Sequence, residues 1–282
     1  MYGTKLCLGM NDHFPLERRE QVRVFREVGF EGFFSNWKSA EDTAALRKTA
    51  DETGMIYQSV HAPFGRIDRM WEETEETEAV IQTLTDCLHA CADNGVPIMV
   101  CHAFIGFDRH QPTRLGLENF ERVVREAEKT GVEIAFENTE GEEYLSALMM
   151  HFDGCASVGF CWDSGHEMCY NCSKDMLALY GDRLLCTHLN DNLGIRDYQG
   201  RITYLDDLHL LPFDGIADWQ DIANRLNRHG FGGILTFELL NFSKPDRHEN
   251  DAYRRMDIRE YLTTAYMRAC RVAALKGVPK DE

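Results

Sequence analysis

Ionisable side chains recur where short apolar runs of this 282-residue chain end. The residues that close six of these runs are His61, His102, Glu137, Asp163, His188 and Glu238. Gathered at one place, imidazoles and carboxylates repel and desolvate one another unless a cation compensates them, and a divalent metal turns such a cluster into a coordination shell. Neither Lys nor Arg stands at these run ends, so the pattern disfavours a salt-bridged plug and predicts a divalent metal site.

Four of these residues end the last four runs of the chain. They are Glu137, Asp163, His188 and Glu238. Three carboxylates and one imidazole make an oxygen-rich shell, which suits one Mn²⁺, Zn²⁺, Co²⁺ or Mg²⁺ ion and excludes a cysteine-dominated structural zinc site. Such a shell leaves positions open for two neighbouring oxygens of a polyol or keto sugar, whose carbonyl the cation polarises as a Lewis acid.

These residues must be positioned by a regular alternation of strands and helices. Eight apolar runs predict β-strands, and a longer segment with helical periodicity follows each of them. The predicted strands are Lys5–Gly9, Gly32–Ser35, Ile56–His61, Ile98–His102, Glu133–Glu137, Gly159–Asp163, Leu184–His188 and Gly233–Glu238. The predicted helices are Leu16–Val28, Ala40–Glu52, Thr77–Asn94, Arg114–Thr130, Glu142–Met150, Lys174–Tyr180, Trp219–His229 and Tyr253–Leu275.

The alternation favours a barrel over an open sheet. Glycines close several predicted helices just before the next strand, namely Gly29, Gly54, Gly95, Gly131 and Gly230. Eight strand-helix units imply a parallel sheet with right-handed crossovers, and we expect an α/β fold with a single (β/α)8 TIM barrel over residues 1–282. An open doubly wound sheet is the alternative, but no G-x-G-x-x-G motif follows the first strand. In a barrel, the C-terminal strand ends share one mouth, where active sites lie.

The same strand ends carry a resemblance to a known family. The five motifs are Phe136-Glu137-Asn138, Trp162-Asp163-Ser164-Gly165-His166, Thr187-His188-Leu189-Asn190-Asp191, Asp207-Leu208-His209-Leu210-Leu211-Pro212-Phe213-Asp214-Gly215 and Thr236-Phe237-Glu238. In this order on a (β/α)8 barrel, they resemble the xylose-isomerase-like superfamily. The resemblance is to its sugar phosphate isomerase/epimerase group, which includes ketose 3-epimerases and inosose dehydratases.

The resemblance implies roles for nine residues of the mouth. The metal would be held by Glu137, Asp163, His188 and Glu238, and the two glutamates would also form the acid/base pair. The implied substrate contacts are His61, His102, His166, Asp207 and His209. The expected partner is a small-molecule sugar or sugar phosphate.

The expected reaction is proton transfer beside a carbonyl group. One glutamate removes a carbon-bound proton from a ketose to give a metal-stabilised enediolate, and the other glutamate returns a proton. Return to the opposite face of the same carbon is epimerisation, and return to the neighbouring carbon is aldose–ketose isomerisation. Loss of a β-hydroxyl from the enediolate is dehydration, and the sequence leaves these three outcomes open.

A zinc phosphodiesterase is the main alternative function. The same superfamily contains abasic-site nucleases of the endonuclease IV type, whose three zinc ions use further His and Asp ligands. Such ligands are available here as His61, His102, His166, Asp207 and His209. Against this alternative, 30 Lys and Arg against 47 Asp and Glu give a net charge of −17. Each neutralised phosphate normally requires a Lys or Arg, so we expect no nucleic-acid partner.

Other sequence features indicate the compartment in which the protein resides. No stretch approaches the roughly 18 apolar residues of a membrane helix, and the N-terminus lacks a signal-peptide pattern, so a cytoplasmic protein without membrane contact is expected. The cysteines are scattered singly, which suits a reducing compartment. Cys169 and Cys172 form one C-x-x-C spacing, but a structural zinc site requires a second pair.

Two further features concern assembly and charge. The predicted C-terminal helix around Tyr261–Val272 is apolar enough to pack on a neighbouring subunit or on its own barrel, so a homo-oligomer is one option. Basic residues of the last two loops could meet a phosphate or carboxylate group, although solvated surface charges are their more ordinary role. They are Arg196, Arg201, Lys244 and Arg247.

Overall fold

Eight β-strands alternate with helices in the computed structural model, which describes residues 4–108, 111–195 and 201–277. The strands are β1 (Leu6–Gly9), β2 (Gly32–Asn36), β3 (Ile56–His61), β4 (Ile98–His102), β5 (Glu133–Glu137), β6 (Val158–Asp163), β7 (Leu184–His188) and β8 (Leu235–Phe237). The helices are α1 (Arg18–Val28), α2 (Ala40–Thr53), α3 (Thr77–Asp93), α4 (Arg114–Thr130), α5 (Glu142–His151), α6 (Ser164–Cys169), α7 (Met176–Tyr180), α8 (Trp219–Arg228), α9 (Asp251–Arg254) and α10 (Ile258–Lys276).

The strands form one parallel sheet whose two ends meet. Its order is β7-β6-β5-β4-β3-β2-β1-β8. Leu189, the residue after β7, donates its backbone N–H to the Thr236 carbonyl at 2.8 Å and accepts a hydrogen bond from Glu238 N at 3.2 Å. These bonds join β7 to β8 and close a nearly continuous barrel. The predicted (β/α)8 TIM barrel is confirmed, and the open doubly wound sheet is excluded.

Most element boundaries lie within two residues of the predicted ones, and the exceptions are caused by side-chain caps. The segment predicted as one helix from Tyr253 is divided into α9 and α10. Asp257 begins α10 by accepting a hydrogen bond from Arg259 N at 2.9 Å. Helix α6 is not predicted, and it starts directly at the end of β6 because the Asp163 side chain accepts a hydrogen bond from His166 N at 2.7 Å. The five glycines predicted to end helices all have positive φ angles, from 61° to 121°.

The alternation of side chains along the strands aims the polar strand ends at the mouth. A small apolar cluster, separate from the main core, consists of Ile98, Val100, Ala135, Cys161 and Cys186. Ala135, Cys161 and Cys186 each stand two residues before an ionisable strand end. Because successive residues of a strand point to opposite faces, Glu137, Asp163 and His188 extend the same inward face.

Helix α10 packs on its own barrel. It contacts α8 and α1, and its apolar residues Tyr261, Leu262 and Ala265 are buried. Of the two positions considered for this apolar face, the structure shows the one against the chain's own helices. Every helix in the described residues is too short or too polar to cross a lipid bilayer.

Candidate functional site

The mouth of the barrel gathers the predicted strand-end residues. His102 on β4 and Glu137 on β5 are register partners, as are Asp163 on β6 and His188 on β7. These four residues are buried. Glu238 follows β8 directly, and its side chain is 26% exposed.

Glu137 is the centre of this group. Its Oε1 lies 2.8 Å from His188 Nδ1, and its Oε2 lies 3.2 Å from His61 Nε2. The same Oε2 lies 3.3 Å from His102 Nε2. Burial by itself would raise the pKa of Glu137, but the neighbouring imidazoles lower this pKa well below its ordinary value. Glu137 is therefore a carboxylate whose two oxygens face different histidines.

His188 links Glu137 to Glu238. Its Nδ1 lies 3.2 Å from Glu238 Oε2, and its ring stacks on Phe34 with centroids 4.4 Å apart. Burial opposes protonation, but the two glutamates raise the pKa of His188 well above its ordinary value. Burial alone would raise the pKa of Glu238, but His188 and His209 lower it to about 2. Both glutamates are therefore held in the carboxylate form.

Asp163 is held by neutral amides. Asn190 Nδ2 lies 3.1 Å from Asp163 Oδ1 and 2.9 Å from Oδ2. Asn138 fixes the backbone of Asp163, because its Oδ1 accepts the N–H at 2.8 Å and its Nδ2 donates to the carbonyl at 2.9 Å. Burial, together with the nearby carboxylates of Glu137 and Glu238, raises the pKa of Asp163 to about 6. A cation beside this carboxyl would stabilise its charged form and offset the free-energy cost of burying that charge.

Ser164 and Gly165, the small residues after Asp163, position Asn190. The side-chain amide of Asn190, which binds both Asp163 oxygens, is called the clamp below. Ser164 Oγ donates to the Asn190 carbonyl at 2.7 Å and accepts from the Asn190 N–H at 3.0 Å. A Cβ at Gly165 would collide with the amide oxygen of Asn190. The Asp163-Ser164-Gly165 segment thus supports the residue that orients Asp163.

Glu137, Asp163, His188 and Glu238 fit a single divalent cation. One ligand atom from each residue lies within 4.8 Å of the ligand atoms of the others. Three carboxylates and one imidazole are a donor set that Mn²⁺, Mg²⁺, Co²⁺ and Zn²⁺ accept. The raised pKa of buried Asp163 supports the fit, because a cation would favour its charged form.

A second cluster consists of His166, Asp207 and His209, whose ligand atoms also lie within 4.8 Å of one another. His209 Nε2 lies 2.9 Å from Asp207 Oδ2, and His166 Nε2 lies 3.6 Å from Asp207 Oδ1. Burial alone would raise the pKa of Asp207, but the two imidazoles lower it well below its ordinary value. Burial opposes protonation of His209, but Asp207 and Glu238 raise its pKa to about 9.

A third group joins His61 and His102 to Glu137, again within 4.8 Å. His102 Nδ1 is buried and has no hydrogen-bond partner among the residues that the structure describes. Burial lowers the pKa of His102, which favours its neutral form. With this group, all nine residues predicted for the site lie at one mouth.

One cation reaches the mouth from a loop. Lys244, six residues beyond Glu238, places its Nζ 3.5 Å from Asp207 Oδ2, and its side chain is 18% exposed. Lys and Arg are absent from the strand ends, but the described lining of the folded mouth includes Lys244. The loop after β8 brings the ammonium group back to the cavity.

The other basic loop residues pair with carboxylates. Arg201 forms an ion pair with Asp108. Arg247 Nη2 lies 2.7 Å from Glu249 Oε1. Arg196 lies outside the described residues. The charges of Arg201 and Arg247 are therefore already balanced by protein carboxylates, which makes these residues poor contacts for an anionic substrate group.

The clusters border a cavity of about 290 Å³. The charged residues other than histidine in its described lining are Glu137, Glu140, Asp207, Glu238 and Lys244. Phe64 and Tyr204 also line it and expose much of their rings. Many hydrogen-bonding groups beside aromatic faces suit a small polyhydroxylated molecule.

Sequence reasoning missed the residues that support the site. Asn138 follows the end of β5 directly and Asn190 stands two residues after β7, so their position beside strand ends was the available signal. Lys244 was among the loop residues predicted as possible anion contacts, but nothing in the sequence placed it beside Asp207. The C-x-x-C pair is divided, because Cys169 is buried and Cys172 is exposed.

Comparison with known proteins gives the same architecture. Residues 22–258 match the family model described as xylose isomerase-like TIM barrel. The uncharacterized protein y4fM of Sinorhizobium fredii is 26% identical over 261 residues, which cover 78% of this chain and 80% of that protein.

Solved structures of similar fold include sugar-modifying proteins. The 3-keto-D-glucoside 4-epimerase YcjR of E. coli has a TM-score of 0.68 and 17% identity, over 94% of this chain and 99% of that chain. D-psicose 3-epimerase of Clostridium cellulolyticum H10 has a TM-score of 0.70 and 15% identity, over 95% and 99%. The IolI protein with a bound zinc atom has a TM-score of 0.70 and 17% identity, over 96% and 98%. At these identities, the likeness shows the fold alone.

Proposed function

The chain belongs to the xylose isomerase-like TIM barrel family, and we propose that it is a divalent-metal-dependent isomerase or epimerase of a sugar. One observation carries the proposal. Glu137, Asp163, His188 and Glu238 place their ligand atoms within 4.8 Å of one another beside a cavity of about 290 Å³. The sugar epimerases among the proteins of similar fold support a sugar as the substrate.

These four residues would hold the metal. When bound, the cation supplies Lewis-acid polarisation of a carbonyl and an adjacent hydroxyl oxygen, which acidifies the carbon-bound proton between them. Asn190 keeps both Asp163 oxygens oriented without adding a charge that competes with the cation. The zinc atom in the IolI structure supports a divalent ion in this fold.

Glu137 and Glu238 would transfer the proton. Both are carboxylates that share His188 Nδ1 as a neighbour, at 2.8 Å and 3.2 Å. One glutamate removes the proton from the substrate carbon, and the other, after it has taken up a proton from solvent, delivers that proton either to the opposite face or to the adjacent carbon. Glu238 is partly exposed in the cavity whereas Glu137 is fully buried, so Glu238 is the one that exchanges protons with solvent.

The histidines of the mouth would orient the substrate. His61, His102 and His166 all line the cavity. The Nδ1 of His102 is buried and has no hydrogen-bond partner in the described site. Aromatic contact from Phe64 would cover the C–H face of a sugar ring.

A phosphoester hydrolase is the second candidate, and one observation favours it. The mouth holds two ligand groups that bring in further histidines, His61-His102-Glu137 and His166-Asp207-His209. Against a nucleic-acid substrate stand the net charge of −17 and a cavity whose described lining includes only one Lys or Arg. Elemental analysis of the reloaded protein distinguishes the two functions. One divalent ion per chain supports the isomerase or epimerase, and two or three zinc ions support the hydrolase.

Proton exchange tests the first candidate directly. We expect the metal-loaded protein in D₂O to incorporate deuterium beside the carbonyl of at least one ketose from a panel, as followed by NMR. Glu238→Gln should slow this exchange by about 10²- to 10⁴-fold. Glu133→Gln is the matched control, since Glu133 begins the strand that Glu137 ends. Unchanged exchange in Glu238→Gln, or metal-loaded protein that exchanges no ketose proton, would contradict the proposal.

A further inference from the structure

Lys244 places the one ammonium group of the described cavity lining beside Asp207 of the His166-Asp207-His209 cluster. Its Nζ lies 3.5 Å from Asp207 Oδ2, and only 18% of its side chain is exposed. The surface pair of Arg201 and Asp108 differs, because its side chains are 67% and 72% exposed. Exposed pairs are screened by water and salt, whereas the Lys244 charge acts on its neighbours with little screening.

Asp207 is shared between this ammonium group and two histidines. Its Oδ2 accepts a hydrogen bond from His209 Nε2 at 2.9 Å, and its Oδ1 lies 3.6 Å from His166 Nε2. Within the described residues, Oδ1 is buried without a hydrogen-bond partner. Asp207 is the single carboxylate of this cluster, so the Lys244 ammonium group and the two imidazoles share one negative charge.

A metal ion on this cluster would have to bind beside Lys244. Two positive charges that share one carboxylate repel each other strongly where solvent is excluded. The group of Glu137, Asp163, His188 and Glu238 is different, because it contributes three carboxylates and no Lys or Arg forms an ion pair with them in the described structure. The Lys244 ammonium group therefore opposes a cation at the His166-Asp207-His209 cluster. It leaves the group of Glu137, Asp163, His188 and Glu238 open to a metal ion.

We propose that Lys244 acts as a built-in cation, which takes the place of a metal ion at the His166-Asp207-His209 cluster. The inference rests on the proposed function, since it assumes that the four-residue group holds the one metal. It explains why this cluster does not hold a second ion beside the proposed metal. It also makes Lys244 a residue that selects against the additional ion that a multinuclear hydrolase would place there.

Metal stoichiometry tests this inference. The full chain is stripped with a chelator, reloaded with excess Zn²⁺, freed of unbound metal and measured by elemental analysis. We expect one ion per chain for the wild type and for Lys244→Arg, which keeps the charge. Lys244→Met and Lys244→Gln remove the charge, and we expect two ions per chain for both. Adding His209→Ala to Lys244→Met removes a ligand and should restore one ion.

The outcomes separate this inference from the proposed function. Two or three zinc ions on the wild-type chain overturn the inference and favour the hydrolase. One ion on the wild type and on both neutral variants, with wild-type circular dichroism spectra, also overturns it. The two neutral variants differ in polarity, so the result does not depend on the folding of one of them. Wild-type protein that binds no zinc overturns the proposed metal-dependent function itself.

Discussion

The side-chain amide of Asn190 spans the carboxylate of Asp163, with Nδ2 3.1 Å from Oδ1 and 2.9 Å from Oδ2. A neutral donor thus orients a buried carboxyl without balancing its charge. Burial raises the pKa of Asp163 to about 6, as expected for a carboxyl that still lacks a full counter-charge. The Asn190 amide therefore holds Asp163 in place for a cation.

Asn190→Ala should weaken metal binding by about 10- to 100-fold, because partners that orient metal ligands contribute on this scale. Competition with a chromophoric chelator measures the change. Asn227→Ala is the control, since Asn227 donates to the Lys276 carbonyl at 3.0 Å, far from the mouth in the fold. An equal loss of affinity in both variants would show that the clamp has no specific role.

Metal affinity should fall as the pH decreases. Burial raises the pKa of Asp163 to about 6, so below this pH a proton competes with the metal for the carboxylate. The carboxylates of Glu137 and Glu238 raise the pKa of His188 well above its ordinary value, against the effect of burial. Its imidazolium must therefore release a proton when the metal binds near neutral pH.

Calorimetric titration at pH 5.5 and 7.5, in buffers of different ionisation enthalpy, measures both effects. We expect weaker binding at the lower pH and net proton release at the higher pH. Equal affinities at the two pH values would contradict the assignment of Asp163 and His188 as ligands.

A buried ion pair behind the site should dominate the stability of α6. Arg225 on α8 donates to both Glu167 oxygens at 2.6 Å and 2.8 Å, and Trp162 Nε1 donates to Glu167 at 2.9 Å. Arg225→Met leaves the Glu167 carboxylate buried without its cation. We expect a loss of about 3–5 kcal/mol in the free energy of unfolding.

Urea denaturation measures that loss. Arg228→Met is the matched control, since Arg228 lies on the same helix and is exposed. It should change the free energy of unfolding by less than about 0.5 kcal/mol. Similar effects of the two substitutions would mean that the buried pair contributes no more than a surface charge.

Gly165 should tolerate no side chain. A Cβ there would collide with Asn190 Oδ1, whereas a Cβ at Gly232 meets no atom within 4 Å. We expect Gly165→Ala to cost about 1–3 kcal/mol of stability through overpacking and to weaken metal binding by displacing the clamp. Gly232→Ala should leave metal binding unchanged. Thermal melting with and without metal measures both effects, and wild-type behaviour of Gly165→Ala would show that the segment can move.

The barrel could be predicted from sequence because its signals are local and repeated. Apolar runs and helical periodicity recur in each unit, and glycines with positive φ end five of the predicted helices. The helix starts that were not predicted depend on single side chains. Asp163 starts α6 and Asp257 starts α10 by accepting backbone hydrogen bonds, and neither cap interrupts the hydrophobic pattern.

The support of the site was less predictable, since its hydrogen bonds join distant parts of the chain. Buried Asp191 illustrates this. It accepts hydrogen bonds from Phe213 N at 2.9 Å, Ala217 N at 3.0 Å and Trp219 Nε1 at 2.8 Å. These bonds fix the loop that carries His209. Nothing in the spacing of the residues indicates which donors a buried carboxylate will find.

The sequence by itself determined which side chains face the barrel mouth. Strand ends and period-two alternation are local properties, and they suffice to aim Glu137, Asp163 and His188 at one place. Only the tertiary structure decided which side chains contact one another in the mouth. It joined His61 to Glu137 across 76 residues and brought Lys244 to Asp207 from a loop. The path of a loop depends on the packing of the whole barrel, so the charge balance of the mouth is a property of the fold and not of any local pattern.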